Sequence, residues 1–258
     1  MKKLVLSLLG FLVMLSPVLS QVEVEAEEVV EEVVVEIEED LKAVPDGVTA
    51  ETVIQNYVNA IGGEKKMLKI KSLTTYAFTT YQGTELMFTF HRMDPGKYYM
   101  EMGTADMTFQ KQMCDGTRAK IIAMGNETEI TGSELEALKY EGSLNQELRF
   151  QEFGVTYELL GVVEIDGQDA YYMQFMIPGG TIQNEYFDVK TGLKVKTTST
   201  ISSPEGDFES VIVYGNYKAV KGVLFPFSMK QTVAGQEIDL TVSSIIVNKV
   251  DAAVFEIK

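Results

Sequence analysis

One histidine, His91, and one cysteine, Cys114, bound the chemistry that this 258-residue chain can carry. Zinc sites built on two or more imidazoles are excluded by that count. A nucleophile–base pair would have to use His91, yet no G-x-S-x-G elbow occurs and no family signature surrounds Cys114. His91 alternates with Met87, Thr89 and Met93 on one strand face, where a lone histidine reads as structural or solvent-facing. Cys114, beside Asp115-Gly116, reads as an inert small residue. Phosphate-cradling glycine patterns and D-x-D-x-D calcium spacing are missing. Carboxylates are abundant, so any catalytic pair drawn from them would be arbitrary. The expectation is a protein that is not an enzyme, with no metal and no cofactor.

What the residues offer instead is apolar surface. Leu86, Phe88 and Phe90 share one face of a stretch, Tyr98, Met100 and Met102 a face of the next, and Met107, Phe109 and Met113 a face of the one after. Further on, Tyr171, Met173 and Phe175 alternate with Tyr172, Gln174 and Met176, the pattern of a strand covered on both sides. Methionine mixed with aromatics makes surfaces that re-pack around varied apolar shapes. Leu86, Phe88, Phe90, Tyr98, Met100, Met102, Phe109, Met113, Tyr171, Met173 and Phe175 are therefore candidates for lining an apolar ligand. A plain packed core is the alternative.

These residues need a scaffold, and the spacing supplies one. Ile54, Tyr57, Val58 and Ile61 give one face of a helix that Thr49 caps and Gly62-Gly63 end, followed by a short helix over 64–70. From Leu73 the period falls from 3.6 to 2. Strands are predicted over 73–82, 84–93, 97–103, 106–114 and 118–124, then over 157–165, 168–177, 181–189, 193–202, 208–218, 223–233 and 236–248. Turns such as Gln82-Gly83, Asp166-Gly167 and Ala234-Gly235 join them as hairpins. Between the two sets, 133–140 and 144–150 read as short helices, with Leu135, Leu138, Leu144 and Leu148 as lid residues. No strand–helix–strand alternation appears, so a parallel fold is not expected. The expected fold is mainly β with a few helices. It is a curved antiparallel sheet of about 11–12 strands, forming a half-open barrel capped by helices.

The ends set the compartment. Lys2 and Lys3 precede an apolar run over 4–15, and Ser16, Pro17 and Ser20 follow, which is the pattern of a signal peptide over 1–20. With one cysteine, an exported protein here has no internal disulfide, and stability must come from a core that 45% hydrophobic residues, 13 Phe and 12 Tyr can build. The net charge is −16, and residues 22–41 carry nine glutamates and Asp40 with no basic residue. That segment, within a linker or tether over 21–48, reads as solvated or as an amphipathic helix that docks on a partner or on the domain itself. The β domain is placed at 49–258. Net charge gives no attraction to nucleic acid or anionic lipid.

Four stretches also carry a resemblance: AIGGEKKMLKIKSL at 60–73, EYFDVKTGLK at 185–194, YKAVKGVLFPFSMK at 217–230 and DAAVF at 251–255. Together they resemble the outer-membrane lipoprotein-sorting-like proteins of Bacteroidetes-type bacteria, whose related domains also occur appended to insulinase-type zinc peptidases. That group is similar to the LolA/LolB periplasmic carriers. The resemblance implies a half-open antiparallel barrel with a helical lid over 50–70 and 131–150. It also implies a cavity that shelters lipoprotein acyl chains or another lipid, in the periplasm. Arg92, on the parity of Phe88 and Phe90, fits a strand arginine that tethers such a lid. The alternative reading is a non-catalytic envelope interaction module with a filled core, a protein partner of a zinc peptidase for example, contacted through the acidic segment 22–41.

Overall fold

The computed structural model describes residues 41–203 and 206–257. The signal-peptide pattern over 1–20 and the acidic run up to Asp40 lie outside the described residues. The fold opens with helix α1 (Ala50–Ala60), whose capping box is reciprocal: Thr52 N–H donates to Thr49 Oγ1 at 3.3 Å and Thr49 N–H to Thr52 Oγ1 at 2.9 Å. Its inward face, Val53, Ile54, Tyr57 and Val58, is buried. Gly62, at φ +133°, ends it where any side chain would strike the Gly222 carbonyl. Helix α2 (Glu64–Met67) follows and is shorter than the predicted 64–70.

The strands then run β1 (Ser72–Tyr81), β2 (Thr84–Met93), β3 (Lys97–Gly103), β4 (Thr108–Asp115), β5 (Ala119–Ala123) and β6 (Asn126–Ile130). Helix α3 (Ser133–Gly142), a 3-10 turn (Gln146–Leu148) and α4 (Phe150–Phe153) come next. The second set is β7 (Thr156–Ile165), β8 (Gln168–Ile177), β9 (Thr181–Asp188), β10 (Lys194–Ser203), β11 (Gly206–Gly215), β12 (Lys218–Val220), β13 (Val223–Phe225), β14 (Ser228–Val233) and β15 (Gln236–Val247). A last 3-10 turn, Ala252–Phe255, buries Phe255 against β3 and β4.

Thirteen of these strands form one antiparallel sheet, in the order β6-β5-β4-β3-β2-β1-β15-β14-β11-β10-β9-β8-β7. The last strand returns to pair with the first, and β6 and β7 are left as edges, so the sheet is large and curved but not closed. Bulges at Tyr76/Ala77, Met102/Gly103, Leu159/Gly161 and Lys194/Lys196 bend it. Five two-residue turns, Gln82-Gly83, Met124-Gly125, Asp166-Gly167, Lys221-Gly222 and Ala234-Gly235, hold both residues at positive φ, which matches the strand twist.

The structure corrects several boundaries. Strand β6 is added to the expected set; its Asn126–Glu129 are exposed at an edge and give no apolar alternation to read. The predicted strands 208–218 and 223–233 are interrupted, because Lys218–Val220 and Val223–Phe225 pair with each other and Pro226 precedes β14. The predicted helix 144–150 is a 3-10 turn followed by α4. Lys42, placed in the tether by sequence, bridges to the β7 edge: Lys42 N–H donates to the Val162 carbonyl at 2.8 Å, and Val162 N–H returns the bond at 3.0 Å. Among the described residues no helix is long and apolar enough to cross a membrane.

Candidate functional site

Cross-strand register sorts the side chains into two faces. Phe88 stands opposite Met102 and Phe90 opposite Met100, while Tyr98 stands opposite Cys114; these share the inner, concave face with Leu86. Leu86, Phe88, Phe90, Tyr98, Met100 and Met102 are all at most 9% exposed and form one cluster with Leu138 of α3. The Phe88 and Phe90 rings stack with centroids 6.1 Å apart. Met173 and Phe175, with half-buried Tyr171, belong to a second cluster under α1, together with Leu144 and Leu148. Leu135 packs at the margin of the first cluster.

Two predicted lining residues are placed differently. Met113 pairs with Tyr99 and Lys120, on the opposite face from Cys114, so it points away from Tyr98, Met100 and Met102. Phe109 is the extra residue of the β3–β4 bulge, which resets its parity and turns it, half-buried, against the first cluster. On the outer side of β8, Tyr172 stacks on Tyr186 at 5.0 Å while Met176 is 52% exposed, so the strand is covered on both faces along part of its length.

The helical cover is tied to the β2–β3 side. Asp94 Oδ1 accepts from Leu144 N–H at 3.0 Å and from Arg149 Nη1 at 2.9 Å. Arg92, on the inner face, lies 3.8 Å from Glu141 Oε1 of α3. Gly142 allows the close seat of α3, since a Cβ there would come within 2.9 Å of the Lys97 backbone.

The sequence reading missed a polar centre on the same face. Lys194 Nζ donates to Glu185 Oε1 at 2.9 Å, and both side chains are nearly buried, at 17% and 11% exposed. Gln183 Nε2 donates to the same oxygen at 2.6 Å. The ammonium sits 5.7 Å from the Tyr57 ring centroid and 5.8 Å from that of Tyr214. Burial alone would lower the Lys194 pKa, but Glu185 first, then Tyr57, Tyr214 and Glu147, hold it well above the usual lysine range. Burial pushes the Glu147 carboxyl up, against the pull of Lys194. Burial likewise raises Tyr57, Tyr140 and Tyr214, so all three stay neutral donors at pH 7. Ser199 and Gln110, 5% and 3% exposed, each keep a buried polar atom, Oγ and Nε2, with no hydrogen-bond partner among the described residues.

Glu147, Lys194 and Tyr214 all keep intermediate accessibility to water. Met229, Leu240, Phe225 and Ile245 combine packing on the clusters with the same partial exposure. Water thus reaches side chains beside β11, β14 and β15, and does not reach the tightly packed residues of β2 and β3. Grooves on other surfaces include one of about 510 Å³ on the outer side of β1–β3, lined by Tyr76, Phe78, Met87 and Glu101, one of about 430 Å³ beside Ile182, Asn184, Thr198 and Glu209, and one of about 360 Å³ between α1 and the β9–β10 turn.

His91 and Cys114 take no part. His91 Nδ1 and Thr74 Oγ1 are 2.9 Å apart on the outer face, and burial lowers the imidazole pKa, so it is neutral at pH 7. Cys114 is fully buried, and burial raises its thiol. Among the described residues no group of three or more His, Cys, Asp or Glu could hold a metal ion.

No family model matches the sequence, and no curated protein matches it. Solved structures match in shape. A LolA superfamily protein from Nitrosomonas europaea aligns with TM-score 0.52 and 14% identity over 81% of this chain and 98% of that one. A DUF1329 family protein from Desulfovibrio piger gives 0.53 and 13% over 80% and 96%. A domain described as that of an outer membrane lipoprotein-sorting protein, from Vibrio parahaemolyticus, gives 0.52 and 13% over 80% and 95%. At such identity the likeness speaks for the fold alone, and the chain has a LolA-like fold: mostly β, with a large, curved, open antiparallel sheet covered by helices.

Proposed function

We propose that this protein is a non-enzymatic periplasmic carrier that shelters an apolar ligand, lipoprotein acyl chains or another lipid, on its concave face. The observation that carries this reading is the set of partly exposed apolar side chains, Met229, Leu240, Phe225 and Ile245, packed on the inner clusters and still reached by water. Supporting it are the fold shared with a lipoprotein-sorting domain and the export signal read in residues 1–20. The cargo's apolar part lies against those four residues, with Leu86, Phe88, Phe90, Tyr98, Met100, Met102, Phe109, Tyr171, Met173 and Phe175 forming the firm wall behind, and Leu135, Leu138, Leu144 and Leu148 forming the lid. Mass spectrometry of lipid extracts from gently purified protein is the test. A co-purifying lipid at near-stoichiometric amount is expected; its absence, together with no gain in thermal stability on adding a single-chain lipid, sinks the reading.

The second reading is an envelope interaction module with a filled core, possibly the partner of a zinc peptidase. Its support is that Phe88, Tyr98, Met100 and Met102 are 1–4% exposed and pack on one another. In that case the acidic segment 22–41 makes the contact, and deleting it abolishes partner binding. Unchanged binding after the deletion counts against this reading.

A further inference from the structure

The end of the molecule around α2 carries a second feature. Met67 and Ile70 turn inward, at 2% and 5% exposed, which leaves Lys65, Lys66, Leu68, Lys69 and Lys71 in solvent. Two other segments meet this one. The Lys66 side chain lies against Gly222, its Cδ 3.1 Å from where a Cβ of that glycine would stand, and this brings exposed Lys221 alongside. Asn248 Oδ1 accepts from Lys71 N–H at 2.6 Å and Asn248 Nδ2 donates to the Lys69 carbonyl at 2.9 Å, which adds exposed Lys249.

Six ammonium groups therefore share one end of a chain whose net charge is −16. None of them forms an ion pair among the described residues. The acidic residues of these segments are Glu64 and Asp251, and the Asp251 carboxylate accepts from Ala253 N–H at 3.0 Å. Amid the lysines Leu68 is 42% exposed, a large aliphatic side chain left in water.

We propose that this lysine cluster with Leu68 docks the protein on an anionic lipid bilayer surface. Lysines near such a surface are attracted within about a Debye length, roughly 8 Å at physiological salt. An apolar side chain among them gains by entering the boundary between head groups and acyl chains, while the lysine stems reach back to the phosphates. This chain's own segment 22–40, with nine glutamates, Asp40 and valines at helical spacing, is the competing occupant, and the chain lacking it separates the two in the test. The remaining, acidic surface is repelled by the same membrane, so the charge asymmetry also orients the molecule. Leu224 N–H donates to the Ile61 carbonyl at 2.7 Å, so docking sets the seam between α1 and the β12–β13 hairpin next to the lipid. The proposal does not depend on the cargo reading.

Co-sedimentation of the full chain with phosphatidylcholine vesicles, and with vesicles of phosphatidylcholine and phosphatidylglycerol in equal parts, tests it. The apolar run 4–15, where retained, adds equally to both, so the difference between them is read. Binding to the anionic vesicles is expected to exceed binding to the neutral ones at least tenfold and to fall at ~0.5 M salt. The variant Lys65→Gln/Lys66→Gln/Lys69→Gln/Lys71→Gln is expected to lose it by roughly 600-fold, at about fivefold per lysine, and Leu68→Ser to weaken it several-fold. All five positions are exposed, so thermal unfolding stays unchanged and confirms the variants are folded. Equal binding to both vesicles overturns the proposal, as does unaltered binding by the quadruple variant. It is also overturned if the intact chain fails to bind and a chain lacking 22–40 binds, since the acidic segment is then the occupant. A lipid in extracts without vesicle preference sinks docking and leaves the carrier reading standing; the converse sinks only the carrier reading.

Discussion

Replacing Lys194 by methionine tests the polar centre. The substitution keeps the stem's bulk but removes the ammonium that donates to Glu185 Oε1 at 2.9 Å. With the two side chains 17% and 11% exposed, water can replace the lost partner only in part. Breaking a buried pair by removing one member costs about 3–5 kcal/mol, because the other charge is left without compensation. The Gln183 Nε2 bond at 2.6 Å remains on Glu185 and places the expectation at the lower end. The Tyr57 and Tyr214 rings, 5.7 and 5.8 Å away, add a few tenths each through lost cation–π attraction. A loss of about 3 kcal/mol follows, which for a domain of this size lowers Tm by roughly 6–12 °C. Urea unfolding of Lys194→Met, Glu185→Leu and the double variant closes a double-mutant cycle. The double variant should recover to within about 1–2 kcal/mol of the parent, since an apolar pair carries no desolvation penalty. A loss below about 1 kcal/mol in the single variant, or additive losses in the double, would refute the view that this pair is a buried, coupled unit.

Three further outcomes can be measured. Glu147 has a folded-state pKa above the ordinary carboxylate value, so the folded protein holds its proton more tightly than the unfolded chain does; its contribution is full below the ordinary value and is lost as pH rises through the raised one. Glu147→Gln should flatten stability against pH across that window and leave the variant the more stable form above it, as chemical denaturation at a series of pH values will show. Gly142→Ala places a Cβ 2.9 Å from the Lys97 backbone, so α3 must lift from β3 at a cost of about 1–3 kcal/mol, whereas Gly83→Ala meets nothing within 4 Å and costs only its backbone strain at φ +79°. Phe88→Ala, 2% exposed and stacked on Phe90, should lose about 3–5 kcal/mol, while Met229→Ala, at a partly exposed position, loses less than about 2; equal losses in thermal unfolding would mean that Met229 is packed as tightly as Phe88.

The scaffold was legible because hairpins announce themselves locally. Gln82-Gly83, Asp166-Gly167 and Ala234-Gly235 stand between alternating stretches, and each is a turn with both residues at positive φ. Met124-Gly125 and Lys221-Gly222 take the same geometry, but methionine and lysine are poor signals for a left-handed residue, so the strands they join were missed or merged. Face assignment was legible only where no bulge intervened. Leu86, Phe88 and Phe90 stay in phase with Tyr98, Met100 and Met102, whereas the bulge at Phe109 separates it from Met113. The polar centre could not be read at all. Glu185, Lys194, Thr197 and Ser199 look like the solvent side of ordinary strands, because alternation says that two faces differ and not which is enclosed. The pairing of β15 with β1 decides that, and this contact spans nearly the whole domain.

The coexistence of charges and apolar walls on one face bears on the choice between the two functional readings. A packed core has no use for a Lys–Glu pair: apolar residues of the same volume do as well or better, since both ions are taken out of water at a cost their attraction barely offsets. Ser199 Oγ and Gln110 Nε2, buried without partners among the described residues, add to that cost in a filled core. The cost falls where some water reaches the charges, because residual solvation lowers the desolvation penalty. The partial accessibility of Lys194, Glu147 and Tyr214 is therefore the condition under which their burial is tolerable. The polar centre and the partial exposure around it therefore favour the carrier reading over a filled core.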